Sequence, residues 1–402
     1  MESSTEVSKA DQVRALVQLA GAVVNFDHPD TKFQPDGLFQ CAGWVLRAHV
    51  DDIVEFKING VGVNQVHWHA RPDAAQDYPE MHTSGFTFWV DANEHVGPES
   101  KALTLTTHVN GSAVGTRYHR ILREGDGQSK TIFYFMHVPK TAGTAVLSQL
   151  RDAANLKMLE VYGSDGNFST DQLRVLSPRS LQTYDLIYGH FDYGVHTSFE
   201  NPHKYLTVLR DPFDFVVSQY FFPKYVLREP LHTAHQSIFD FLKKYPGHLD
   251  NSFCRALCGD IPFDQPLTQA DYHRALSNMD KDFAFIGMRE RLAESMTQIS
   301  GLLGVDLAGG LRGENITPRT PERANLDMRA LRAAAEDRLQ YDLMLYEEVG
   351  RRYFGLGAKR RAKATAQSAA PTLHVNGEAL EPTPRAAELG SFASIESPLE
   401  TL

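Results

Sequence analysis

The chain has 402 residues, room for roughly two or three domains at about 100–200 residues each. Its composition, 42% apolar and 22% charged, excludes a wholly disordered or collagen-like chain, and no run approaches the ~18 consecutive apolar residues of a membrane-spanning helix. Lys and Arg number 40 against 50 Asp and Glu, a formal charge of −10, which argues against sequence-independent nucleic-acid binding but leaves room for local basic pockets.

Residues 1–28 read as an N-terminal helical segment, with helix over Asp11 to Val24. The start is acidic and polar and lacks the features of a secretory signal. Cys41, Cys254 and Cys258 are too few and odd in number for a disulfide framework. Both observations lead to the expectation of a cytoplasmic protein with buried thiols.

Residues 29–125 read as a small β-sandwich domain. Val54 to Ile58 alternates with period two, and Asn59-Gly60 then supplies a hairpin turn, since both residues tolerate positive φ. Gly85 to Val90 and Ala102 to Val109 are further strands, and Asn110-Gly111 turns the latter back toward Thr116 to Ile121. The polar stretch 124–129 is a linker.

From 130 to 357 the pattern alternates strand and helix. Thr131–Met136, Met158–Val161, Leu186–Tyr188, Tyr205–Leu209 and Phe283–Ile286 are candidate buried strands. Their order predicts an α/β fold with a P-loop-like, mainly parallel sheet and helices on both faces. Residues 358–402 are rich in Pro, Ala, Ser and Glu and are expected to be a disordered tail.

Two strand ends carry the chemistry. In Thr131-Ile-Phe-Tyr-Phe-Met-His137-Val-Pro-Lys140-Thr-Ala-Gly-Thr-Ala145 a buried strand enters a small-residue loop and then an amphipathic helix bearing Val146, Leu147 and Leu150. Such a junction aims backbone N–H groups and the positive end of a helix dipole at one point, which suits a phosphate. Gly143 permits close approach, Thr141 and Thr144 offer hydroxyl donors, and Lys140 offers a mobile charge. The lysine precedes the loop glycine, so this is not a Walker A loop. In Tyr205-Leu-Thr-Val-Leu-Arg210-Asp-Pro the strand ends at Arg210, Asp211 is an N-cap and Pro212 a first helical residue. Arg210 thus stands at the carboxyl end of a strand, where open α/β sheets bind ligands, and Ser218 follows about two turns into the helix.

Taken together, these motifs over residues 130–355 resemble the PAPS-dependent sulfotransferases, in particular the branch of heparan sulfate 2-O-sulfotransferase and bacterial relatives. His137 to Thr144 is similar to that family's 5′-phosphosulfate loop, and Arg210-Asp-Pro with Ser218-Gln-Tyr220 to its 3′-phosphate motif. Phe285-Ile-Gly287-Met-Arg-Glu290-Arg-Leu292, Glu314 to Pro318 and Asp342 to Tyr346 resemble later blocks. The resemblance implies 3′-phosphoadenosine 5′-phosphosulfate as co-substrate, with no metal required. It places Lys140 against the bridging oxygen, Thr141, Ala142, Gly143, Thr144 and Ala145 around the 5′-phosphate, and Arg210 and Ser218 at the 3′-phosphate. His190, which ends the strand Asp185 to Gly189, resembles the family's general base; His137 reads as structural or cofactor-lining.

The implied reaction is in-line sulfuryl transfer to a hydroxyl of a carbohydrate or related alcohol. His196, His203, Lys204, Lys224, Arg228, Arg255 and Arg289 are candidates for an anionic acceptor, and Tyr220 to Pro223 for the lining of its cleft. In the β region, His67 and His69 share a strand face, as two metal ligands would, and Trp44, Trp68 and Trp89 offer either sugar-stacking surface or core. A P-loop-type kinase or NTPase and a non-catalytic glycan-binding protein are the alternatives. The acceptor and the oligomeric state are not legible.

Overall fold

In the computed structural model of the chain, residues 13, 17, 21–29, 37–95, 102–120, 130–163, 167–235, 237–245, 250–259, 261–262, 264–307 and 320–356 are described. The linker 124–129, the block Glu314 to Pro318 and the tail 358–402 lie outside them.

The amino-terminal region forms two four-stranded antiparallel sheets. One has the order β1 (Ala22–His28), β2 (Leu38–Arg47), β6 (His82–Asp91) and β5 (His67–His69). The other has the order β4 (Val61–Gly62), β3 (Val54–Ile58), β7 (Ala102–Val109) and β8 (Ser112–Arg120). Alternate residues of both sheets meet in one core: Phe26, Phe39, Cys41 and Val45 with Phe86, Phe88 and Val90 from the first, and Phe56, Ile58, Leu103 and Leu105 from the second. Each aromatic so enclosed contributes on the order of 2 kcal/mol. The two Asn-Gly turns occur as expected, with φ of 48° and 85° at Asn59 and Gly60 and 49° and 82° at Asn110 and Gly111.

The helix expected to run to Val24 is corrected: Ala22–His28 is an edge strand in register with β2 (Ala22↔Arg47). Its paired valines suit a pleated surface, and their alternation was masked by the apolar residues before them. A boundary at residue 28 would therefore cut off a strand of this sheet.

The second region is built on a parallel sheet of five strands. In chain order they are β9 (Ile132–Met136), β10 (Met158–Val161), β11 (Leu186–Gly189), β12 (His203–Leu209) and β13 (Phe283–Met288). In space the order is β10-β11-β9-β12-β13, so the first strand lies at the centre. Its alternation feeds two cores. Ile132, Tyr134 and Met136 pack on one face with Ile187, Tyr205 and Leu209. Phe135 packs on the other with Val146, Leu147 and Leu150 of helix α1 (Gly143–Arg151) and Met296 and Ile299 of the helix Leu292–Leu303. Burial on both faces is why these strands read as apolar runs. Helix α2 (Pro212–Phe222) is apolar nearly all round and is enclosed by Ile238, Phe241, Leu331 and Leu339.

The two regions meet at the end of β6. Asp91 Oδ1 accepts from Ser180 Oγ (2.5 Å) and Asn93 N (2.9 Å), while Oδ2 accepts from Ser177 N (2.8 Å). Asn93 Nδ2 also donates to Ser180 Oγ (2.8 Å), and Trp89 meets the edge of Phe168 at 5.3 Å. Asp91 is buried. Asp91→Ala leaves the Ser177 and Ser180 donors without their acceptor and should cost about 1–3 kcal/mol in equilibrium urea unfolding; an unchanged midpoint would remove this carboxylate from the interface energetics.

Candidate active site

The carboxyl ends of β9, β10, β11 and β12 converge because β9 is central and the chain leaves it toward β10 on one side and returns through β12 on the other, the topology that opens a ligand crevice. After β9 the backbone makes a tight loop in which Lys140 (φ 68°) and Ala142 (φ 82°) are left-handed. Neither is glycine, so each conformation costs about 1 kcal/mol or more and is held by its surroundings. Arg210 Nη1 donates to Lys140 O (3.2 Å), and Thr141 Oγ1 donates to Val138 O (2.7 Å). The second bond corrects one expectation: the Thr141 hydroxyl is spent inside the loop, and only its backbone is left to face an anion. Ala142 is the N-cap of α1 and has no side chain to accept from the first turn, so the positive end of that helix is unquenched by its own cap.

Arg210 follows β12 directly and is only 6% exposed. Its Nε is buried without a hydrogen-bond partner, and no carboxylate forms a salt bridge with it among the described residues. Burial lowers its pKa to about 10; Arg289 and Arg323 add repulsion, and Asp214 and Glu290 oppose it. Lys140 is lowered to about 8, first by burial and then by Arg210, with Glu229 opposing. The Lys140 amine sits 2.9 Å from the centre of the Phe222 ring, at the end of α2. Ser218 lies on α2, two turns in as expected, and is buried. Asp211 caps α2 by accepting from Phe213 N and Asp214 N (3.0 Å each), and its own N–H donates to Glu290 Oε1 (3.3 Å). Tyr346 OH donates to Glu290 Oε2 (2.5 Å), so two blocks that looked separate in sequence are tied behind the Arg210 turn.

His190 leaves β11 beside this loop. Gly189 is required there: a Cβ would lie 1.8 Å from Val161 O. His190 N donates to Val161 O (2.9 Å) and His137 N to Gly189 O (2.8 Å). The His137 and His190 rings lie 4.7 Å apart, Tyr162 meets His190 edge-on at 4.7 Å, and Tyr162 OH is 3.4 Å from His137 Nδ1. Gly143 makes room for His137, whose Nε2 would be 1.7 Å from a Cβ at that position. His190 remains exposed as a residue, yet the flanking rings desolvate its imidazole and lower its pKa to about 4. His137 is lowered to about 3 by burial, then by His190 and Lys140. Both imidazoles are neutral at neutral pH, and His190 is the accessible one. Tyr162 and Tyr188, which complete this aromatic wall, were not singled out in the sequence. Tyr162 directly follows the end of β10, so the strand-end rule that found His190 would have found it too.

Next to this wall is a cavity of about 320 Å³ between the two regions, lined by Gln65, His67 and Trp89 on one side and Asn167, Ser169 and Gln172 on the other. It reaches Gly163, the neighbour of Tyr162; Thr170, the neighbour of Ser169, donates to His190 O at 3.5 Å.

Several expected acceptor contacts lie elsewhere. His203 and Lys204 open β12 at its opposite, amino-terminal end, with His196 beside them. Arg255 is buried and bonded to Asp250, Pro262 and Gln265. Lys224 pairs with Glu322 at 3.0 Å. Tyr220 and Phe221 belong to the core around α2, and only Phe222 of that stretch reaches the site. The three tryptophans form no common platform: Trp68 stacks on Phe56, while Trp44 and Trp89 lie four registers apart on β2 and β6 (Trp44↔Gly85, Gln40↔Trp89). His67 and His69 stack at 5.9 Å and gain no third ligand among the described residues. Cys41, Cys254 and Cys258 are buried free thiols.

No family model and no curated protein matches the chain. Among solved structures it is similar to mouse sulfotransferase SULT7A1 complexed with PAP (14% identity, 61% of this chain and 91% of that one, TM-score 0.31). It is also similar to a sulfotransferase from Alicyclobacillus acidocaldarius (14% identity, 54% and 96%, TM-score 0.32). A third likeness is to Pseudomonas fluorescens alkylpurine DNA glycosylase AlkC bound to DNA (11% identity, 29% and 35%, TM-score 0.15). Overlaps this loose carry no argument, and the chemistry is read from the residues themselves. If Arg210 holds a phosphate, as the sequence reading expects, Arg210→Ala should weaken adenosine 3′,5′-bisphosphate binding by about 100-fold in calorimetry, the loss of a buried charge-assisted contact; equal affinity in the variant would mean that Arg210 holds no phosphate.

Proposed function

We propose that the chain is a sulfotransferase that carries the sulfuryl group of 3′-phosphoadenosine 5′-phosphosulfate to a hydroxyl of a carbohydrate or related alcohol. The observation that carries this reading is the bond between Arg210 and Lys140 O, because it joins two cationic strand ends around one crevice. A ligand with two separate phosphate groups fits both ends at once. The buried, unpartnered Arg210 Nε fits a phosphate oxygen, and the left-handed loop with the uncapped N-terminus of α1 fits a second. Thr144, Ala145 and the backbone of Thr141 to Gly143 would hold the 5′ side, with Arg210 and Ser218 on the 3′ side.

When bound, the donor supplies the sulfuryl group; the protein's residues do the rest. Lys140 is cationic below about pH 8 and offers positive charge where the leaving phosphate gains negative charge. Neutral His190 takes the proton of the attacking hydroxyl on an imidazole nitrogen. Tyr162 and His137 hold that imidazole, and the backbone bond to Val161 O fixes where it leaves β11. The acceptor enters through the cavity beside Tyr162, whose amides, hydroxyl and indole suit a polyhydroxylated ring. On this reading the two packed amino-terminal sheets are a sandwich module that supplies one wall of the acceptor site. A kinase reading is disfavoured because the loop lacks the G-K-[ST] ending.

Transfer of labelled sulfate from the donor to a panel of glycans and simple alcohols tests the proposal, with transfer expected without added magnesium. His190→Ala should lower kcat by about 10²–10⁴-fold while bisphosphate affinity stays at the wild-type level; if His190→Ala turns over at the wild-type rate, His190 is not the base. The pH profile follows from the two shifted groups. Activity needs His190 deprotonated and Lys140 protonated, so kcat/KM should rise as pH passes about 4, hold a plateau, and fall as pH passes about 8. Lys140→Arg, whose charge persists, should lose the alkaline limb. An alkaline limb that survives in that variant assigns it to another group.

A further inference from the structure

A second cluster of chemically capable side chains lies at the other end of β12. His203 is its first residue, His196 lies in the short turn Val195–Ser198 before it, and Asp282 ends the helix Gln269–Asp282 that leads into β13. One donor atom from each of the three lies within 4.8 Å of the others. From Arg210 the cluster is seven residues away along β12, roughly 23 Å at about 3.3 Å per residue. It therefore takes no part in the chemistry proposed above.

Hydrogen bonding dictates what this cluster lacks. His203 Nδ1 is 3.2 Å from Asn201 O. A carbonyl can only accept, so Nδ1 carries the hydrogen and Nε2 of the neutral ring is a lone pair. That Nε2 is buried, has no hydrogen-bond partner, and faces Asp282 Oδ1 at 3.6 Å. Two electron-rich atoms thus confront each other out of water, an arrangement that calls for a cation between them. His196 stacks on His203 with centroids 4.0 Å apart and turns its Nε2 to the same carboxylate, 4.0 Å from Oδ2. Its Nδ1 lies 2.8 Å from Tyr205 OH, which also accepts from His196 N and Gly194 N (3.3 Å each); that hydroxyl donates to Nδ1, so Nε2 carries the hydrogen toward Asp282 and the ring must change tautomer to present a lone pair to a metal.

We propose that His196, His203 and Asp282 form a binding site for a divalent transition-metal cation of the zinc class, distinct from the transfer site. Two imidazoles and a carboxylate suit zinc, with a water as fourth ligand. Donors about 2.1 Å from a tetrahedral zinc lie roughly 3.4 Å apart, close to the observed separations, and the two stacked rings must turn out of their stack to aim both lone pairs at one ion. The outer contacts are those that metal ligands use: His203 donates its other ring N–H to a carbonyl, and Tyr193 OH donates to Asp282 Oδ2 at 2.5 Å. Lys281 Nζ, 3.6 Å from Asp282 Oδ2, is 70% exposed and can swing into solvent as the metal enters. The lysine beside it, Lys204, is already engaged with Lys281 O at 2.9 Å. The bound ion would pin the start of β12, the turn before it and the end of the helix that precedes β13.

The full chain, stripped with EDTA and dialysed against buffered zinc, should retain one zinc by plasma mass spectrometry. Competition with a chromophoric chelator should show affinity weaker by about 100-fold or more in Asp282→Asn and His203→Gln, and by about 10–100-fold in Tyr193→Phe. A His67→Ala, His69→Ala double variant should match the wild type, which places the metal at this cluster. Asp282→Asn is near-isosteric, so lost zinc with an unchanged circular dichroism spectrum separates ligation from misfolding. Less than stoichiometric zinc in the wild type, or undiminished zinc in Asp282→Asn, overturns the site and leaves a proton as the bridging cation.

Discussion

The rest of the site depends on a guanidinium taken out of water with no carboxylate in salt-bridge contact among the described residues. Among the described residues Arg210 is held by a bond to Lys140 O, its Nε has no hydrogen-bond partner, and its neighbours include other cations. Burying such a charge costs several kcal/mol unless something answers it. The fold supports that cost with the strength of β12, whose Leu206 and Leu209 feed opposite cores and whose Thr207 donates to Met136 O at 2.7 Å. An arrangement that is unfavourable in isolation becomes favourable once an anion fills it, which is how a fold reserves a place for a ligand.

The same principle runs through the loop after β9. Lys140 and Ala142 hold left-handed conformations that a flexible loop would abandon, and they persist because α1 is clamped by Val146, Leu147 and Leu150 on the sheet. Behind the Arg210 turn, Glu290 accepts from both Asp211 N and Tyr346 OH, so the helix Gln340–Phe354 is coupled to the turn that carries Arg210. On the other side His137 is wedged over Gly143 and against His190, and this packing keeps both imidazoles uncharged. Cations gather on one side of the crevice and neutral rings on the other. That separation is what a reaction needs when it must stabilise a departing anion and accept a proton in one step.

Well-formed contacts among the described residues join the two regions of the chain. Asp91 anchors the sheet of β6 to Ser177 and Ser180, and Trp89 meets Phe168. Between these contacts lies the cavity with one wall from each region. Neither region alone would have it, since its two walls come from β5 and β6 and from the segment after β10.

Much of this was legible in the sequence, and the reason is local. The five parallel strands are apolar runs bounded by turn residues; four of the observed spans differ from expectation by one or two residues at one end, and the fifth, Met158–Val161, coincides with it. The Asn-Gly turns, the Asp211-Pro212 helix start and the strand-end positions of His190 and Arg210 likewise follow from backbone rules that act within a few residues. What the sequence could not decide is everything that depends on which strand ends become neighbours. The strand order brings Tyr162 to His190 and Lys140 O to Arg210, leaves His196, His203 and Lys204 at the opposite end of β12, and makes an edge strand of Ala22–His28. Hydrophobic periodicity specifies an element because it is a property of consecutive residues; the pairing of elements is set by the joint burial of surfaces far apart in the chain, and so only the tertiary structure fixes the site.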